Sequence, residues 1–244
     1  MNSRITTWGL IAIACAVLTA QTVGNEAHAE GEPLIYGIQV EQLEYRLGDD
    51  TDVFAWDFDA LVGSDELKLV WRSEAEYATE EDGFEKLENQ LRLQVPVSTF
   101  FDAVAGIRVD TPTLDDGDDR ISGVIGLHGL APQWFEIDAD LFISDKPAFR
   151  FEAEYEGLIT NRVIMVPSIE LDVPFADDDD LDIAAFGPKI EIGARLSYDL
   201  IDRAVSPYIG VHYERSFGET ANLVRASGED AGAVFITIGT RIMF

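Results

Sequence analysis

Sulfur, imidazole and positive charge are scarce in this chain. It has one cysteine, three methionines and three histidines in 244 residues. Cys15 lies inside the first apolar run, Gly9 to Thr19, which follows Arg4 and precedes the small-x-small triplet Ala27-His28-Ala29. That order marks residues 1–29 as a signal peptide, with cleavage after Ala29 and a mature chain starting at Glu30. A lipoprotein reading would put lipid on Cys15, after Ala12-Ile13-Ala14, within the apolar run itself. Removal of the leader removes the cysteine, which excludes disulfides and thiolate metal ligands from the mature protein. No later stretch reaches the ~18 uninterrupted apolar residues of a membrane helix. Two destinations remain: a soluble exported protein, or an outer-membrane barrel. Lys and Arg number 17 against 46 Asp and Glu, for a formal net charge of −29. Such a chain repels nucleic acid and suits a cation partner or a salty habitat.

What the chain does have is alternation. From Leu34 onward about twelve segments alternate apolar and polar residues, each near the ~9–11 residues of a tilted membrane strand. Leu91, Leu93, Val95 and Val97 oppose Gln90, Arg92 and Gln94; Phe135, Ile137, Ala139 and Leu141 oppose Glu136, Asp138 and Asp140. A soluble sandwich also alternates, with its apolar phase in a shared core. A barrel in lipid has the apolar phase outside. Three features favour the barrel. Short connections (Gly63-Ser64-Asp65, Ser98-Thr99, Ala131-Pro132, Thr160-Asn161) alternate with longer ones (Thr79 to Glu85, Thr111 to Asp119, Val173 to Pro188, Ser216 to Gly232). Acidic runs at Asp49-Asp50, Glu80-Glu81-Asp82, Asp115 to Asp119 and Asp177 to Asp180 fall in the longer, external set. Trp56, Tyr77, Trp134, Tyr155, Tyr198 and Tyr213 fall near segment ends, where interfacial girdles lie. The last segment, Phe235 to Phe244, is oily on one face and ends on its aromatic. Its Gly239, Ile242 and Phe244 resemble the closing-strand signal read by the barrel-assembly machinery. The expected fold is all-β: one transmembrane antiparallel up-and-down barrel of about twelve strands over residues 30–244.

In this register Glu44, Asp57, Glu74, Glu136, Asp138, Glu152, Glu154, Glu191 and Glu214 face the lumen with Arg46, Arg108, Arg195 and Arg241. Arginine forks brace carboxylates in a narrow lumen, and an excess of acid also suits a cation path. Carboxylate pairs such as Glu152 and Glu154 follow from one strand face rather than from glycosidase geometry. No serine stands near His128 or His212 as a nucleophile, so catalysis is not expected. Both histidines share the lumen phase. His212, with Glu214 two residues on, is the better metal-ligand candidate, and His128 the second. Asp177 to Asp180 lacks the spaced ligands and central glycine of a calcium loop and reads as a solvated acidic loop that shares divalent ions with lipopolysaccharide.

Several blocks together resemble the outer-membrane copper resistance protein B family. They are Gly126-Leu127-His128-Gly129-Leu130-Ala131-Pro132 with Trp134-Phe135-Glu136, Glu154-Tyr155, Leu158-Ile159-Thr160-Asn161-Arg162, Ile192 to Tyr198, Ser206 to Val211 and Phe217 to Ala221. The resemblance runs from about Glu44 to Phe244. It implies an outer-membrane barrel acting in copper tolerance, with a copper ion bound in the lumen or passed across the membrane. The implied surroundings are outer-membrane lipid, lipopolysaccharide and a periplasmic copper protein. One departure stands out. Members often carry a Met- and His-rich segment before the barrel, and here only Glu30-Gly31-Glu32-Pro33 precedes the first strand. The mature methionines are Met165, facing lipid, and Met243, a further ligand candidate at the periplasmic rim. Two other functions fit the same residues: a small cation-selective pore, and a structural barrel tied to lipopolysaccharide by divalent ions.

Overall fold

The computed structural model describes residues 33–49, 51–111, 119–131, 135–201 and 203–244. The expected leader, residues 1–29 with Cys15 and Ala29, lies outside the described residues, as do Asp50, Asp115, Asp116, Asp118, Pro132 and Trp134. The strands are β1 (Ile35–Leu47), β2 (Val53–Gly63), β3 (Lys68–Ala78), β4 (Gly83–Pro96), β5 (Phe101–Asp110), β6 (Arg120–Ala131) and β7 (Phe135–Ile143). There follow β8 (Ala148–Tyr155), β9 (Gly157–Leu158), β10 (Val163–Pro174), β11 (Lys189–Tyr198), β12 (Val205–Ser216) and β13 (Gly232–Met243). The two-residue β9 extends β8 past Glu156 and pairs with the same neighbour, β10, so the wall has twelve staves. Each stave runs antiparallel to its sequence neighbours, and β13 pairs with β1 to close the cylinder.

Closure satisfies each strand's backbone groups from its neighbours, which is what lets a sheet sit in hydrocarbon. At the seam Glu44 pairs with Gly239 and Tyr45 with Ile238. The Phe244 amide donates to the Ile38 carbonyl at 2.9 Å, and the Phe244 carbonyl accepts from the Ile38 amide at 3.0 Å. Side chains then segregate by phase. Leu91, Leu93 and Val95 on β4, Ile209 and Val211 on β12, and Ile236 and Ile238 on β13 are exposed, while Gln90, Arg92 and Gln94 between them are buried. The charged residues are inside and the oily ones outside. That arrangement suits lipid as the outer solvent.

Four features depart from the sequence reading. The connection after β3 is short, because β4 already starts at Gly83. Phe84 pairs with Tyr77 past a register shift, and its ring meets Tyr77 at 5.1 Å and Trp56 at 5.6 Å. The connection from Ser216 to Gly232 holds a helix, α1 (Thr220–Ser227), ended by Gly228 in the left-handed conformation at φ 100. Asp178 is not a solvated member of the Asp177 to Asp180 run. It is buried, its carboxylate paired with Arg120 and within 4.0 Å of Lys146, whereas Asp180 stays exposed. Finally, a bulge in β1 shifts the pairing with β2 between Val40 and Gln42. A bulge puts consecutive side chains on one face, so Glu41 and Gln42 both line the interior.

The interior is mostly ionic. Its apolar part is a patch of Val104, Val124 and Phe142 backed by Ala148. These residues sit in the polar phase of their strands. The Arg108 guanidinium lies 4.1 Å above the Phe142 ring. The closed side of the lumen, along β5 to β8, is filled in this way.

Candidate functional site

Buried charge survives only when paired and hydrogen-bonded, and the lumen is built around that requirement. Glu44 is fully buried and holds three donors. Arg195 grips both its oxygens, Nε at 2.9 Å and Nη2 at 2.8 Å; Arg46 Nε donates at 2.7 Å and the Tyr208 hydroxyl at 2.9 Å. Gly239 is needed opposite, since a Cβ there would lie 2.7 Å from both Glu44 Cβ and the Tyr208 hydroxyl. Arg150 joins Glu74 (3.3 Å), Glu88 (3.2 Å) and Asp172 (2.9 Å). Lys86 adds a bond to Glu74 at 2.8 Å, and Arg108 to Glu88 at 3.0 Å. Asp138 faces Arg72 and Arg92, both at 3.4 Å. Arg241 pairs with Glu154 and Glu156.

Between these braces lies a cavity of about 100 Å³, room for roughly three waters. Its lining carries ten carboxylates, among them Glu41, Asp57, Glu136, Glu152 and Glu154, against four cations, Arg46, Arg72, Lys86 and Arg195. His212 also lines it. Strand pairing places His212 toward the end of the barrel that carries the long loops. Glu191 on β11 stands directly opposite Glu214 on β12, and His212 is two residues back on the same face, opposite Gly193. The ligand atoms of Glu191, His212 and Glu214 all lie within 4.8 Å of one another, the one such His, Cys, Asp or Glu group among the described residues. His212 is buried; its Nε2 is 3.3 Å from Glu191 Oε2 and 3.5 Å from Arg46 Nη1. Lys189 Nζ bridges the two glutamates, 2.9 Å from Glu191 and 2.8 Å from Glu214.

The other two ligand candidates are elsewhere. His128 lies toward the opposite end, its Nδ1 3.0 Å from Asp138 Oδ2. Met243 lines a separate cavity of about 10 Å³ with Glu156, Asp199 and Arg203. It is eight residues along β13 from Phe235, the partner of His212. At ~3.4 Å per residue that is about 27 Å, so Met243 and His212 cannot share an ion. Several lumen residues went unread in the sequence. Lys86 and Glu88 continue the phase of Gln90 and Arg92, and Lys189 that of Glu191, but each lies at the strand end, ahead of the residues where the apolar alternation is clear. Glu41 carried no signal, because only the bulge turns it inward. One imidazole and two carboxylates form a nitrogen–oxygen donor set. It fits Cu(II) and other divalent ions of that class, not Cu(I), which prefers sulfur.

Comparison with known proteins supplies the context. The family model for copper resistance protein B precursor (CopB) matches residues 34–244. Copper resistance protein B of Escherichia coli is 33% identical over 225 residues, covering 91% of this chain and 74% of that protein. The copper resistance protein B homolog of Pseudomonas syringae pv. tomato is 32% identical over 206 residues, 84% of this chain and 68% of that one. A solved structure of the NanC porin aligns with a TM-score of 0.54 at 11% identity, covering 85% of this chain and 99% of that one. That likeness concerns the fold. The barrel is an outer-membrane protein whose oily face contacts membrane lipid. By the span of the family match and the identity to both relatives, the chain belongs to the copper resistance protein B family.

Proposed function

We propose that this outer-membrane barrel serves copper resistance by taking Cu(II) at Glu191, His212 and Glu214 and passing it into the acidic cavity below. The observation that carries the reading is that cluster: a buried imidazole and two convergent carboxylates, of which His212 and Glu191 also line the cavity beside nine further carboxylates. In this reading residues 1–29 are the export leader, the long loops face outward, and the β13 end serves the assembly machinery. The role is binding and passage rather than catalysis. His128 holds Asp138 in place, and Met243 marks the rim from which a periplasmic copper protein would collect the ion. The test is copper titration of the refolded barrel. His212→Gln should weaken Cu(II) binding at least tenfold, with His128→Gln close to wild type. Equal binding by wild type and His212→Gln would overturn the assignment. In cells, only the wild type and His128→Gln should restore copper tolerance to a susceptible host.

The excess of acid over base on the cavity wall also favours a second reading, a small cation-selective pore. Planar bilayers separate the two. A pore conducts alkali cations freely, whereas a copper site shows conduction blocked by micromolar Cu(II) in wild type and not in His212→Gln.

A further inference from the structure

We infer that Lys189 is a tethered cation occupying the metal position of the Glu191–His212–Glu214 cluster, displaced when a divalent ion enters. The inference rests on the reading above. Glu191 and Glu214 are direct partners across the β11–β12 ladder. Like charges so placed repel, and the pair needs a counter-charge when no metal is present. Lys189 supplies it, with Nζ 2.9 Å from Glu191 Oε1 and 2.8 Å from Glu214 Oε2. The second Glu191 oxygen turns to His212 Nε2 at 3.3 Å. The ammonium therefore bridges the same two carboxylates that a metal would bridge. A divalent ion, with oxygens at ~2.0–2.2 Å from it, leaves no room for that contact and repels the charge.

Arg46 and Lys189, the cations in contact with the cluster, differ in freedom. The Arg46 side chain is 7% exposed and is tied to both Glu44 and Glu76. The Lys189 side chain is 37% exposed, and a four-carbon stem bearing a point charge swings readily. The entering ion thus displaces Lys189, and Arg46 stays. The consequence is an exchange of one internal charge for two. The empty site stays compensated, so the barrel folds without metal. A monovalent ion gains little over a tethered ammonium already at high effective concentration, which selects dications. When the metal leaves, the ammonium returns, so affinity is held at a level that permits release.

Two measurements on the refolded full barrel test this. In Cu(II) titrations, Lys189→Gln and Lys189→Met should bind about tenfold tighter than wild type, and Lys189→Arg no tighter. Binding unchanged or weaker in the neutral variants would show Lys189 to be a brace only and overturn the inference. The second measurement needs no variant. Amine acylation of wild-type Lys189, read by mass spectrometry, should accelerate severalfold on Cu(II) saturation, and an unchanged or slower rate overturns the inference. Failure of the underlying reading is distinguishable: wild type and His212→Gln would then take up Cu(II) alike.

Discussion

Glu44 shows what a single lumen residue carries. Its carboxylate holds Arg195, Arg46 and Tyr208 at once, and all four groups are buried. Removing Glu44 leaves the buried Arg195 without its ion-pair partner, while Arg46 keeps Glu76; stranding one buried charge costs about 3–5 kcal/mol. Glu44→Ala should therefore lower the unfolding free energy of the lipid-embedded barrel by about that much in urea titrations. Lys68 pairs with Asp102 at 2.7 Å, but its side chain is 31% exposed. Lys68→Gln should cost less than ~1 kcal/mol, and comparable losses for the two variants would refute this view of the lumen. Glu44 and Arg195 were both readable as inward from alternation. Their bond was not, because 151 residues separate them and only the curvature of the wall brings them together.

At the level of elements, β13 and the β10–β11 loop do different work. β13 closes the wall through Phe244 and Ile38, at the end of the strand remote from His212. Deleting Phe244 removes those two backbone bonds and the terminal aromatic. The amount of heat-modifiable barrel in the membrane fraction should fall, while the fraction that does assemble should bind copper as wild type. Normal membrane levels would remove the assembly role from this residue. The loop of residues 175–188 is pinned at both sides, by Asp178 to Arg120 and by Thr220, whose hydroxyl accepts from the Ala184 amide at 3.0 Å. Asp178→Asn should free it, seen as faster limited proteolysis within 175–188 at an unchanged melting temperature. Proteolysis at the wild-type rate would mean that Asp178 does not hold the loop. The acidic run was legible as a loop. The burial of one of its four aspartates was not, since Arg120 belongs to β6.

The molecule as a whole is a closed wall around an asymmetric interior. One side is filled by Phe142, Val104 and Val124 under Arg108; the other holds the acidic cavity and His212. Any conductance in planar bilayers should be small and cation-selective, and anion selectivity would contradict the acidic lining of the cavity. Phe142→Ala should raise conductance, because the ring takes up space on the filled side, without changing the sign of selectivity.

The amino-acid sequence by itself determined the architecture. A period of two with oily and charged phases admits a sheet, and lipid outside a polar lumen admits only a closed one, so strand number, order and the closing role of β13 followed from local pattern. It also placed Glu44, Arg195, Glu152 and His212 on the inner face. The tertiary structure decided the chemistry. Glu191 meets Glu214 and His212 through the β11–β12 register, Glu41 turns inward through a bulge, and Met243 is separated from His212 by most of the length of a strand. Alternation states which face a side chain takes. Which charges meet across a lumen depends on register, shear and curvature, and these belong to the closed wall rather than to any strand.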